Sequence, residues 1–350
     1  RMGIKVLKPD INKSFDYFAI EKENNKKSIR YSLSSLKNVG TEAVKKMIET
    51  RNKINFFKNI DNFIEDFPQN NFGKRGLESL VKSGSCDCFN IYRSRVFESI
   101  QQILNYSQRI QNDKLNKQSN LFNDVDELKL SKSFVKLPEW SLVDCEENEL
   151  SSIGFYLNRH PLNRFKKIYK NMNLKSTSFF NNENNTDKKN EIFKITGIVT
   201  SIFKRKSQLG GFYGVLEVND FEGMVEIFAD ENNLKFIEEN YDRNEIFCFY
   251  VELKSDGNFG NRINCRGVFN FYDIFSKERC NFEICINDLI ALKHLKTLVS
   301  ETKKGTTNII IKIISDNRKL EIDLNKNINV TSNFIRKLSK INGISNFSVI

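Results

Sequence analysis

Residues 192–275 place the tightest limit on what this chain can fold into. They read as three strand-like runs, a short helix and two further strand-like runs, all separated by turn residues. Ile192 to Lys206 alternates, with Phe193, Ile195, Gly197, Val199, Ser201 and Phe203 on one face. Phe212 to Val218 and Met224 to Phe228 follow, joined by the tight turn Asp220-Phe221-Glu222-Gly223. Asn233 to Tyr241 has helical spacing, with Leu234, Ile237 and Tyr241 on one face. Ile246 to Leu253 and Arg262 to Phe269 complete the set across the Gly-rich hairpin Ser255 to Asn261. Strands this short and even, with Gly197 and Gly214 placed to let a sheet bend, fit a small closed barrel.

A β-β-β-α-β-β order is that of the OB-fold, whose open face and loops bind oligonucleotides. Lys204, Arg205 and Lys206 end the first strand, and Phe212 and Tyr213 begin the second. Cations for phosphates beside aromatic planes for bases are what single-stranded nucleic acid requires. The plainer reading is a basic loop next to two core aromatics; the barrel order favours binding.

At 350 residues the chain should form about two to four domains. No apolar run is long enough to cross a bilayer and no signal-peptide pattern opens the chain, so no membrane is expected and the location is expected to be cytoplasmic. The first residue, Arg1, points to a fragment or trimmed chain. The net charge of +11 is unevenly spread. Residues 1–110 carry 20 Lys and Arg against 12 Asp and Glu, and residues 276–350 carry 13 against 7. The barrel, with 9 against 13, is acidic apart from its basic loop. That distribution fits two separate nucleic-acid contacts better than a uniformly adhesive surface. Cys86-Asp87-Cys88 has no second pair at metal-ligand spacing and the only histidines are His160 and His294, which argues against zinc. The seven cysteines are expected to be reduced, with Cys248 and Cys265 in the barrel core.

Phe15 to Ile20 and Ser28 to Tyr31 fit either paired strands or the approach to a helix. Leu33 and Leu36 share a helical face, Asn38-Val39-Gly40 breaks it, and Thr41 can cap a second helix bearing Val44, Met47 and Ile48. Two helices joined in this way make a helix-hairpin-helix at 33–51. Its N–H groups can hold a phosphate at the positive end of the second helix, with Lys37, Lys45 and Lys46 nearby. Such a grip takes duplex backbone without reading bases. Asn38 stands where a first glycine is usual, and Asn enters the left-handed region more readily than most residues. An ordinary helical hairpin remains the equal alternative on pattern alone. Further helices follow Phe72-Gly73-Lys74-Arg75 and run from Asn90 to about Gln111.

From Gln111 the pattern dissolves into a polar connector holding Gln118, Leu121 and Phe122. The apolar pair either docks back on the helices or anchors another protein. Burying Leu and Phe stabilises by roughly 1.5–3 kcal/mol each. That falls short of the roughly 8 kcal/mol of a micromolar complex, so Gln118 hydrogen bonds or simultaneous DNA binding would have to supply the rest. Glu146, Glu147 and Glu149 read as a solvated helix start, and His160 as a structural turn residue. After the barrel, three strand-like runs and helices capped by Asn287 and by Thr331 or Ser332 make a small α/β domain with no catalytic constellation. The expected fold class is multidomain α+β: an all-α helix-hairpin-helix domain, an OB-fold β-barrel and a small α/β C-terminal domain. The expected boundaries are 1–111 for the helical DNA-binding domain, 112–136 for the connector and 137–172 for a helical bridge. A linker at 173–191, the barrel at 192–275 and an interaction domain at 276–350 complete them.

Several segments in order resemble the carboxy-terminal part of the bacterial replicative DNA polymerase III alpha subunit. They are Gly3 to Asn12, Ile29-Arg30-Tyr31 through Leu36 to Gly40, Leu80-Val81-Lys82-Ser83-Gly84, Gln118 to Phe122, and Ile153 to Leu162. The resemblance covers essentially the whole chain, and Ile153 to Leu162, just ahead of an OB-fold, is its most specific segment. It implies that Lys37, Asn38, Val39, Gly40 and Thr41, with Lys45, grip duplex DNA. It implies that Gln118, Leu121 and Phe122 bind the sliding clamp, and that Lys204 to Lys206, Phe212 and Tyr213 meet single-stranded template. The terminal domain corresponds to the one that meets the clamp loader's tau subunit. The implied enzyme is a DNA-directed DNA polymerase, a nucleotidyltransferase using two magnesium ions. Its palm aspartates and His-rich amino-terminal domain are missing here, so no catalytic or metal residue is assigned, and the chain by itself is expected not to synthesise DNA. The alternatives are a free-standing nucleic-acid-binding adaptor, and a barrel that prefers tRNA.

Overall fold

In the computed structural model, which describes residues 5–23, 26–115, 130–157, 160–180, 191–206, 210–241, 245–256, 260–315 and 318–350, the chain divides into two units. These are Arg1–Asn158 and Arg159–Ile350. The boundary falls inside the helical bridge expected at 137–172.

The first unit opens with strands β1 (Lys5–Leu7), β2 (Ala19–Glu23) and β3 (Lys26–Arg30), in the order β1-β3-β2. Paired strands are therefore the realised alternative, and the unit is helical only beyond them. Arg30 fastens this sheet by donating to both carboxylate oxygens of Glu21 at 2.7 and 2.9 Å. Helices α1 (Thr41–Ile54), α2 (Ile60–Asp66), α3 (Gly73–Lys82), α4 (Arg93–Glu98), α5 (Ile100–Leu115) and α6 (Leu142–Ile153) follow. Leu33, Val44, Met47, Leu80 and Ile100 sit in one core with an aromatic cluster of Phe57, Phe63, Phe67 and Phe89. α6 begins at Leu142, capped by Ser141, so Glu146 and Glu149 lie mid-helix and buried rather than at a solvated start.

In the second unit, His160 accepts a hydrogen bond at Nδ1 from Leu162 N–H and so caps a 3-10 run, Pro161–Ile168. Burial pushes its pKa down to about 3, which keeps the ring neutral and suits the capping role. β4 (Leu174–Lys175) and α7 (Thr177–Phe180) lead to β5 (Ile192–Lys206), β6 (Phe212–Asn219), β7 (Met224–Ala229), α8 (Glu231–Asn240), β8 (Ile246–Asp256) and β9 (Gly260–Asn270). β5 pairs with β8 over Ile192–Ile198 and with β6 from Ile198 onward, while β7 runs parallel to β9 at Ile227 and Phe228. Those pairings close a five-stranded barrel of OB topology. At the change of partner, a Cβ on Gly197 would collide with Val218, so glycine is required there. Gly214 serves closeness instead: its Cβ would lie 2.8 Å from Leu234 of α8.

A β-bulge between Val199 and Ser201 shifts the phase of β5. Ile202 consequently packs inward, and Phe203, expected on the face of Phe193, is half exposed. The barrel helix is capped by Asp230 and ends at Asn240, leaving Tyr241 outside it. The chain finishes with α9 (Phe271–Phe275), β10 (Cys280–Ile286), α10 (Ile290–Glu301), β11 (Lys304–Ser315), β12 (Arg318–Ile328), α11 (Ser332–Ser339) and β13 (Ile344–Val349). Its sheet has the order β12-β11-β10-β13. Asp288, not Asn287, accepts from the first N–H of α10, and Thr331 caps α11. All seven cysteines are free, and burial raises Cys248 and Cys265 to about 12.

Candidate nucleic-acid interfaces

The segment before the first hairpin is not a regular helix. Leu36 N–H donates to Leu33 and Val39 N–H to Leu36, each at 3.2 Å, giving two consecutive turns. Val39 is buried among the core helices, while Lys37, Asn38, Gly40 and Thr41 are exposed. Asn38 takes φ +63°, the left-handed region. Thr41 is the first helical residue rather than the cap. Gly40 is the cap, in extended conformation, and no side chain satisfies the start of α1. Lys37 N–H is committed to Ser152 O at 2.9 Å and Val39 N–H to the turn, so both leave the set available to a ligand. What α1 offers outward is its first turn, with the positive end of its aligned peptides.

Two helices hold this hairpin in place. α6 ends on it through the Ser152 carbonyl, and α3 closes in at Gly76, where a Cβ would lie 3.2 Å from Asn38 O. Gly76 shares a turn with exposed Lys74 and Arg75. Those two cations were missed as site residues, because only the approach of α3 links them to Asn38. Lys45 pairs with Glu42 at 3.1 Å, a surface contact that raises its pKa and partly occupies its charge.

On the barrel, register sorts the expected residues onto two faces, since directly opposed residues in a ladder share a face. Arg205 opposes Tyr213, Phe203 opposes Val215, and Val215 opposes Phe228. These form one outward face. Lys206 opposes Phe212 and Lys204 opposes Gly214, so Lys204, Lys206 and Phe212 lie on the other, beneath α8. There Lys204 meets Glu238 at 3.4 Å and covers the Phe212 ring, while Phe212 N–H reaches Glu231 at 3.5 Å. The five residues therefore do not form a single cluster. Phe203, Phe228 and Arg262 join Arg205 and Tyr213, and the parallel β7–β9 pairing that brings Arg262 in leaves no local mark in the sequence. Gln118, Leu121 and Phe122 lie outside the described residues.

Among the described residues no helix is long and apolar enough to cross a membrane. Nor do three His, Cys, Asp or Glu side chains converge among them, so these residues do not fit a two-magnesium centre.

Along the chain a helix-hairpin-helix motif is followed by an OB-type barrel and an α/β domain. A family model described as "helix-hairpin-helix motif" matches residues 3–96. The DNA polymerase III subunit alpha of Buchnera aphidicola subsp. Acyrthosiphon pisum is 27% identical over 99% of this chain and 30% of its own length. The subunit of the same name from Borreliella burgdorferi is 27% identical over 94% of this chain and 29% of its own length. A mitochondrial single-stranded DNA-binding protein from S. cerevisiae overlaps 23% of this chain and 93% of its own at 9% identity, with a TM-score of 0.20. The chain is related along essentially its whole length to bacterial DNA polymerase III alpha subunits, in agreement with the resemblance to their carboxy-terminal portion. It spans about 30% of the length of these relatives.

Proposed function

We propose that this chain is the DNA-handling and processivity part of a replicative DNA polymerase alpha subunit. The hairpin at Lys37–Thr41 holds duplex backbone, the barrel holds single-stranded template, Gln118, Leu121 and Phe122 engage the sliding clamp, and the terminal domain meets the clamp loader. Bond-making belongs to residues of the longer subunit. The observation carrying this reading is the exposed start of α1, uncapped by any side chain, behind a left-handed Asn38 and flanked by Lys37, Lys74 and Arg75. Such a turn supplies N–H donors to a phosphate without touching bases, as a sequence-independent polymerase requires.

Fluorescence anisotropy on a primed template tests it. Salt-sensitive binding that weakens in Lys37→Ala/Lys74→Ala is expected; no binding to duplex or single strand at low ionic strength would overturn it. Sliding-clamp retention provides the second arm, where Leu121→Ala/Phe122→Ala should release the chain. Equal retention of parent and variant would remove the clamp contact.

A further inference from the structure

The outward face of the barrel carries an unneutralised pair of cations. Arg262 on β9 stands directly opposite Lys254 on β8. Their inward neighbours Ile263 and Leu253 are in the core, so both cations point outward together. Like charges in opposed positions destabilise a ladder unless something lies between them. Among the described residues no carboxylate pairs with either, although this barrel has more acids than bases and β8 and β9 do carry a pair of their own in Arg266–Glu252.

Arg262 is also held in a defined pose. Its guanidinium carbon lies 3.7 Å from the Phe228 ring centroid and 5.7 Å from that of Tyr213. Its Nε is buried without a hydrogen-bond partner. A guanidinium held this close to a ring has its position fixed without losing its charge, which suits it to a phosphate oxygen. A surface salt bridge would have discharged this group; a ring against it positions it and leaves the charge in place.

We propose that Arg262 and Lys254 form a phosphodiester subsite for single-stranded nucleic acid, with Phe228 as the support that positions the guanidinium and Tyr213 stacking the adjoining base. This rests on the single-strand reading of the barrel and adds its anchor. The test is anisotropy of a labelled oligothymidylate with the whole chain across a salt series. Arg262→Ala should weaken binding about 10-fold, and Arg262→Ala and Lys254→Ala should each flatten the salt slope by roughly 0.7, the share of one single-strand phosphate. Arg262→Lys should keep the slope while losing about 3-fold in affinity, because charge survives and the fork does not. Lys254 is exposed, so its variant reports binding even where Arg262→Ala unfolds the barrel. Unchanged slopes in both variants, with Arg205→Ala/Tyr213→Ala still weakening the complex, would overturn the subsite and leave the barrel reading standing. If none of these variants alters binding, both fall.

Discussion

Gly84 follows α3 with φ +75°, and a Cβ there would collide with the Arg93 guanidinium. Gly40 precedes α1 with φ −74°, and nothing lies within 4 Å of where its Cβ would be. One glycine is demanded by its left-handed backbone; the other has an ordinary φ and faces open space. Around Gly84 the protein has supplied its own anion, since Asp87 accepts from Arg93 at 2.7 and 2.8 Å and from Lys8 at 2.8 Å. Around Gly40 no carboxylate closes the turn, since Glu42 in the first turn of α1 pairs with Lys45 instead. A buried turn closed by an internal carboxylate is architecture, whereas an exposed turn not closed by one can approach a ligand. The barrel repeats the contrast, with Lys204 paired to Glu238 on one face and Arg262, on the other, against rings and without a carboxylate partner among the described residues.

The largest effect should come from exchanging these glycines. Gly84→Ala combines a left-handed backbone with a steric conflict and should destabilise the first unit by about 2–4 kcal/mol in urea unfolding. Gly40→Ala should stay within about 0.5 kcal/mol of the parent. Gly40→Val should likewise fold, yet lower duplex affinity about 10-fold in anisotropy by blocking an N–H contact to phosphate. If it unfolds the unit instead, Gly40 is structural too and the contrast fails.

Next in size is Asp87. Burial raises its pKa, but the Arg93 and Lys8 contacts overcome that and hold it below the ordinary carboxylate value. With the folded value depressed, its contribution is complete above the unfolded pKa of about 3.9 and is lost as pH falls through the folded one. Asp87→Asn should cost about 1–3 kcal/mol at neutral pH, because Arg93 is left partly buried and unpaired. The variant and parent should begin to converge as pH falls below about 4 and meet only below the depressed folded pKa, which urea midpoints across pH would read.

What was legible in advance follows from range. The barrel's alternation, its Asp220–Gly223 turn and the left-handed tolerance of Asn38 are local properties, written in neighbouring residues, and the folded chain carries all three. The barrel's own order of three strands, a helix and two strands was legible for the same reason. Less legible were features set by a single added residue or a distant partner. The bulge at Val199–Ser201 reverses which side chains of β5 face out, so Phe203 changed sides. Lys74 reaches the hairpin only through the approach of α3 at Gly76, and Arg262 reaches Phe228 only through a parallel pairing across α8 and β8. Glu146 and Glu149 looked solvated because charge is usually outward, but the segment around them is packed mid-helix.

The two barrel faces make the third test. Arg205→Ala/Tyr213→Ala removes one cation and one ring from the outward face and should lower oligothymidylate affinity about 10-fold, given that stacking contributes roughly 1–3 kcal/mol per base. Lys204→Ala/Lys206→Ala, on the α8 face, should change it less than about 3-fold, because Glu238 already takes much of the Lys204 charge. Anisotropy at one fixed salt concentration ranks the two. A reversed ranking would put the strand along α8.

The smallest effect tests the contrast from the opposite side. If Glu238 only occupies Lys204, neutralising it should release a cation rather than damage the barrel. Lys204 and Glu238 are both substantially exposed, so the pair itself should contribute less than about 1 kcal/mol and Glu238→Gln should leave the unfolding midpoint nearly unchanged. Oligothymidylate affinity should then rise by about 2-fold at low ionic strength, with the gain disappearing near 0.5 M salt as screening removes the difference. A decrease would mean that the Glu238 carboxylate orders Lys204 for its ligand instead of competing for it, and the acid on α8 would belong to the interface rather than to its suppression.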